Sequence, residues 1–128
     1  MGRTPITSPN AAAVGPYSHA IDDGRSVYLS GQTPIDPDTG GLLEGSVGAQ
    51  THQCFDNLFD VLMTAGLSPS DVVQVRVYVT DMGDFAEMNA AYAERFTEPY
   101  PARTTIGVAS LPLGAQVEID CVAVRPDA

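Results

Sequence analysis

The run Val72-Val-Gln-Val-Arg-Val-Tyr-Val-Thr80 constrains this chain more than any other segment. Val73, Val75, Val77 and Val79 fall on one side of a period-two repeat, with Gln74, Arg76, Tyr78 and Thr80 on the other. That alternation is the pattern of a strand with one face in a core. A strand of this kind needs a second layer to cover its apolar face. The sequence on either side supplies one. Before it, Ser46 can cap a helix running to about Ala65 and stopped by Gly66. Val47, Cys54, Phe55, Leu58, Val61, Leu62 and Ala65 recur there at helical spacing. After it, a second helix starts near Asp84, where Asp84 and Glu87 have the spacing of a capping box. Phe85, Met88, Tyr92 and Phe96 form its apolar stripe, and Pro99 and Pro101 end it.

Further strands complete the pattern. Arg25 to Ser30 alternates, with Val27 and Leu29 on one face. Pro34 to Gly41 is dense in turn residues and reads as a loop. Ala102 to Ala109 and Gln116 to Val124 read as two strands around the turn Leu111-Pro-Leu-Gly114, so an antiparallel pair is expected. The order predicts one α+β domain spanning residues 1–128, with two helices on one face of a mixed sheet. The other sheet face carries small and polar side chains and must meet water or a second subunit, for which a symmetric oligomer is the natural solution.

Composition limits the partners. The chain has 6 Lys+Arg against 16 Asp+Glu, a formal net charge of −10. That balance disfavours nucleic acid and anionic membrane surfaces, both of which are bound through clustered cations. No apolar run approaches membrane-spanning length, and the proline-broken N-terminal segment lacks the apolar centre of a signal peptide. The expectation is a cytoplasmic protein. Cys54 and Cys121 read as buried free thiols, although one bridge between them stays open. His19 and His52 are far apart and have no partners at metal-ligand spacing, so no metal is expected.

A few residues stand out as candidates for chemistry. Arg103 follows Pro101-Ala and precedes Thr104-Thr-Ile at the mouth of a strand. A guanidinium so placed can hold a carboxylate through two parallel hydrogen bonds. A surface arginine in an ion pair fits the same residues. Glu118, on the last strand, can orient and deprotonate a water beside Arg103, or can simply face solvent. Asn89 sits next to the stripe of the second helix and, if buried, needs partners, which fits a structural brace. Tyr17 and Ser30, beside Gly15-Pro and Gly31-Gln, offer hydroxyls that a small polar ligand or the local backbone can take.

The ordered set of segments resembles the Rid, or YjgF-like, family. Those segments include Gly15-Pro-Tyr-Ser18, Leu29-Ser-Gly-Gln32, Asp36-Pro-Asp-Thr-Gly40 and Gln50-x-x-Gln53. The set continues through Asp71 to Asp81, Met88-Asn-Ala-x-Tyr92, Pro101-Ala-Arg103, Leu111-Pro112 and Val117-Glu-Ile119. The resemblance implies a chorismate-mutase-like fold, with a mixed six-stranded sheet and two helices on one face. It also implies a homotrimer with sites in the clefts between subunits. The implied activity is cofactor-free hydrolysis of reactive 2-imino acids to 2-keto acids and ammonia. Arg103 falls on the family's carboxylate-binding arginine and Glu118 on its water-activating glutamate. Tyr17, Ser30, Gly31, Asn89 and Thr105 fall on positions lining its substrate site. Two positions depart from the family pattern. Thr105 stands where many members carry cysteine, and Gly107 where an acidic residue is common, a change expected to widen the cleft. A non-catalytic protein binding a small carboxylate in the same cleft is the competing reading. Ribonuclease activity sits poorly with the net charge, and a chorismate mutase would want more site cations than Arg103.

Overall fold

The computed structural model describes residues 2–9 and 15–126. Along them run β1 (Thr4–Ile6), β2 (Ala20–Asp22), β3 (Ser26–Gln32), α1 (Val47–Thr64), β4 (Val72–Val79), α2 (Phe85–Ala93), β5 (Ala102–Gly107) and β6 (Val117–Val124). The strands form one sheet in the order β1-β2-β3-β6-β4-β5. Every ladder is antiparallel except β4 with β5. Both helices pack on the same face. The core lies between, where Phe55, Leu58, Val61 and Leu62 of α1 meet Val75, Val77, Val79, Val117 and Ile119 of the sheet. Each such side chain contributes about 1.5–3 kcal/mol through loss of contact with water.

The ends of α1 follow from its sequence. Ser46 Oγ accepts the Ala49 N–H at 3.1 Å, satisfying a donor that the first helical turn leaves open. Gly66 takes φ +79°, the left-handed conformation that stops the helix at low steric cost. The start of α2 differs from the expected capping box. Asp84 is its N-cap but makes no side-chain capping bond. Glu87 instead turns toward α1, where its Oε2 accepts the Gly48 N–H at 2.8 Å. A carboxylate at that helix N-terminus also meets the positive end of the helix dipole. Helix α2 stops at Ala93, before the prolines, yet Phe96 still packs in the core just beyond it.

Three strand features depart from the sequence reading. Val73 does not join the buried row: it is 46% exposed, while Val72 is buried. The β4–β6 register shifts between Val72 and Gln74, and an irregularity of one residue reverses which side chains face the core. The strands β5 and β6 do not pair. Helix α2 carries the chain back across the sheet, so β5 lies parallel to β4 at the sheet edge, and β6 enters on β4's other side against β3. Finally, the short strands β1 and β2 carry no readable alternation. Pro5 is tolerated because β1 is an edge strand.

Candidate functional site

Arg103 is the second residue of β5. The register pairs it with Val75, and Thr105 with Val77, so both point to the face that carries the helices. There α2 organises the guanidinium. Arg103 Nη1–H donates to Asn89 Oδ1 at 2.8 Å. The guanidinium lies 4.6 Å from the centroid of the Tyr92 ring and 5.6 Å from that of Phe85. Aromatic faces stabilise a cation without neutralising it. Among the described residues Arg76, Arg95 and Arg125 form ion pairs with Asp120, Asp56 and Asp22, whereas the bonded partner of Arg103 is an amide. A cavity of about 380 Å³ opens beside it, lined by Asn89, Tyr92, Ala93, Tyr100, Pro101 and Arg103. The Thr105 hydroxyl, two residues along, is buried with no hydrogen-bond partner, as is that of Tyr92. Two unsatisfied hydroxyls are costly in a core and unremarkable next to a ligand.

Glu118 lies elsewhere. Its neighbours Val117 and Ile119 are fully buried against the helices, so Glu118 points to the opposite sheet face. It shares a cavity of about 610 Å³ with Tyr17, Leu29, Ser30, Gly31, Arg76, Pro112 and Asp120. Burial raises the proton affinity of its carboxyl above the usual glutamate value, and the nearby Asp120 charge adds to the effect. Gly31 makes the room: a Cβ there would stand 2.5 Å from Glu118 Oε2. Ser30 Oγ donates to Ser18 O at 2.6 Å and Ser30 N–H donates to His19 O at 2.9 Å. These bonds tie the loop bearing Tyr17 to β3.

The expected site residues therefore fall into two groups on one chain. Arg103, Asn89 and Thr105 gather beside α2, while Tyr17, Ser30, Gly31 and Glu118 gather on the other face. Strand β4 runs between β5 and β6, so Glu118 does not stand beside Arg103 on a neighbouring strand. Asn89, expected as a brace, accepts the bond from Arg103.

A family model described as Endoribonuclease L-PSP matches residues 7–125. The protein DfrA of Myxococcus xanthus is 46% identical over 127 residues, which is 97% of each chain. This chain belongs to the Rid (YjgF-like) family. A second Rid relative, named 2-iminobutanoate/2-iminopropanoate deaminase in Salmonella typhimurium, is 42% identical over 128 residues, 98% of this chain and 99% of that protein. The crystal structure of RidA from the Antarctic bacterium Psychrobacter sp. PAMC 21119 matches with a TM-score of 0.92 at 44% identity, covering 96% of this chain and 100% of that one. The Rid fold expected from the resemblance is the fold observed, a six-stranded mixed sheet with two helices on one face.

Within this Rid fold the structure adds residues that sequence reasoning missed. Arg76 makes Arg103 no longer the sole cation at a site cavity, and Asp120 brings a second carboxylate beside Glu118. Asp120 was accessible from the period-two rule, since it lies two residues from Glu118 on one strand face. Arg76 required knowing that β4 borders β6. Tyr92 and Tyr100 join Arg103 only through the packing of α2 and the segment before β5. The departure at Gly107 leaves space that Met82 partly takes, since a Cβ there would stand 3.0 Å from Met82 Cγ. Cys54 and Cys121 are buried free thiols, and burial pushes Cys121 up to about 12, out of the range of a reactive nucleophile. No helix among the described residues is long and apolar enough to cross a membrane, and no group of three His, Cys, Asp or Glu there is arranged to hold a metal.

Proposed function

We propose that this chain hydrolyses reactive 2-imino acids, such as 2-iminobutanoate and 2-iminopropanoate, to 2-keto acids and ammonia. The observation that carries the reading is the state of Arg103. In a protein of net charge −10, one guanidinium is held by an amide and two ring faces beside an open cavity. Its remaining donors suit the substrate carboxylate, bound through parallel hydrogen bonds. Asn89 orients Arg103, and Thr105 supplies a hydroxyl on the same face. Glu118 takes a proton from water as the water oxygen bonds to the imine carbon. Glu118 returns that proton to the nitrogen of the resulting carbinolamine, and the carbon–nitrogen bond breaks to release ammonia. The hydroxyl proton passes to the Glu118 carboxylate as the oxygen becomes the keto group, leaving finally with the ammonia as ammonium. Tyr17, Ser30 and Gly31 line the water's side. No cofactor enters this scheme, because the protonated imine is already electrophilic and positioning supplies the acceleration.

The separation of the two groups on one chain supports a homotrimer in which the Arg103 side of one subunit meets the Glu118 side of the next. The relative named as a 2-iminobutanoate/2-iminopropanoate deaminase supports the substrate class. Buried free thiols at Cys54 and Cys121 fit a reducing cytoplasm. The test generates 2-iminobutanoate in place from threonine and a dehydratase and follows keto-acid release with wild type and Arg103→Ala. Acceleration by wild type and its loss in Arg103→Ala are expected. A wild type no faster than the uncatalysed reaction would refute the activity, and full activity in Arg103→Ala would refute the site. Light scattering that finds a monomer would refute the shared cleft.

A further inference from the structure

Glu118 does not face its cavity alone. Asp120 follows it by two residues on β6, points to the same sheet face and is almost wholly buried. The ladder sets Arg76 opposite Asp120 and Tyr78 opposite Glu118. Arg76 Nε–H donates to Asp120 Oδ1 at 2.7 Å, and Tyr78 O–H donates to Oδ2 at 3.0 Å. Each carboxylate oxygen thus has its own donor, which fixes the group in plane and position beside Glu118. Arg76, Asp120 and Glu118 all line the one cavity.

We propose that this clamp belongs to the acid–base machinery: Asp120 is the electrostatic partner of Glu118, and Arg76 governs how much of the Asp120 charge Glu118 feels. The inference rests on the reading of Glu118 as the base. A base works best when its proton affinity lies near the working pH, high enough to take the proton and low enough to be free of one beforehand. Burial and Asp120 push Glu118 up from the usual glutamate range, burial being the larger cause. Unopposed, the Asp120 charge would drive Glu118 toward its protonated, inactive form. Arg76 offsets that charge at contact distance. Among the described residues, Tyr17 on the loop before β2 lines the same cavity, Tyr78 stands opposite Glu118 on β4, and Cys54 of α1 lies across the sheet on the helix side. Burial raises both Tyr78 and Cys54, so they stay neutral where carboxyls titrate. Within one chain, Asp120 is then the neighbouring charge that acts on Glu118, and Arg76 is the charge paired with it.

The test is a carbon-13 NMR titration of the Glu118 carboxyl in the full chain, wild type against Asp120→Asn and Arg76→Gln, alongside the pH profile of kcat/KM on 2-iminobutanoate. The Glu118 midpoint should fall in Asp120→Asn and rise in Arg76→Gln, each by roughly half a pH unit or more, with Arg76→Lys restoring most of the wild-type value. The acidic limb of kcat/KM should move with it. A purely structural clamp would lower the rate without moving midpoints in opposite directions. Midpoints that stay put, or that move the same way in both variants, overturn the proposal. Midpoints that move as expected while the acidic limb does not would overturn the clamp's catalytic role. A wild type without hydrolysis would sink the deaminase reading alone, and the titration would still decide the coupling.

Discussion

Replacing Gly31 by alanine separates catalysis from folding. A methyl at Gly31 would stand 2.5 Å from Glu118 Oε2, 3.0 Å from Cδ and 3.3 Å from Cγ, where ordinary contact begins at 3.4 Å. The carboxyl must then retreat by about 0.9 Å, the difference between 3.4 and 2.5 Å. The obstructing atoms end a flexible side chain, so the backbone of β3 has no need to move. A displaced rotamer costs about 0.5–1.5 kcal/mol, and the lower chain entropy of alanine offsets about 0.4–1 kcal/mol of it. Net stability should change by less than about 1 kcal/mol, a Tm shift of a few degrees. Activity is far more sensitive, because a misplacement of about 1 Å costs on the order of 100-fold, or about 2.7 kcal/mol of barrier. Steady-state kinetics on 2-iminobutanoate should show the loss in kcat, with KM little altered because Arg103 is untouched. Calorimetry supplies the control. A folded Gly31→Ala with wild-type kcat would refute the placement of Glu118 at the reacting centre. A fall in Tm large enough to explain the loss would show that Gly31 serves packing instead.

Two other outcomes follow from the same geometry. Asn89→Ala removes the acceptor that fixes Arg103 and should raise KM roughly tenfold, about 1.4 kcal/mol, with a smaller effect on kcat; a KM unchanged in steady-state assays would contradict the bracing role. Glu118→Gln should abolish activity yet melt higher than wild type at neutral pH. A carboxyl whose proton affinity is raised by folding favours the folded state at acid pH and loses that contribution as pH rises through its folded value, so the gain in Tm should vanish on acidification. Melting curves for the two proteins that stay parallel from acid to neutral pH would speak against the raised value.

Local features were legible because local rules govern them. Ser46, Gly66 and the helical spacing of Val47 to Ala65 defined α1 almost to the residue. The buried side of β3 followed from alternation. Strand order was not legible, since nothing in Ala102 to Val124 states that α2 sends β5 to the parallel side of β4. The shift at Val73 was hidden for a related reason, because a register irregularity exists only relative to the partner strand. Glu87 looked like a cap for its own helix, and only the packing of α2 on α1 shows which helix end it serves. The site divides in the same way. Residue type and position made Arg103 a candidate that an ordinary surface ion pair fitted as well, and only the family resemblance singled it out. Asn89, Tyr92 and Phe85 become its surroundings only once α2 lies over β5.

The bond from Gly48 to Glu87 joins the two helices, and neither residue lines either cavity. The Gly48 amide has no carbonyl within its own helix to bond, as for any residue in a first turn, so its protection from exchange with solvent depends on the other helix. Its exchange rate thus reports on the docking of α2, the element that also delivers Asn89 to Arg103. A single backbone amide of α1 registers whether α2 is holding the Arg103 guanidinium in place.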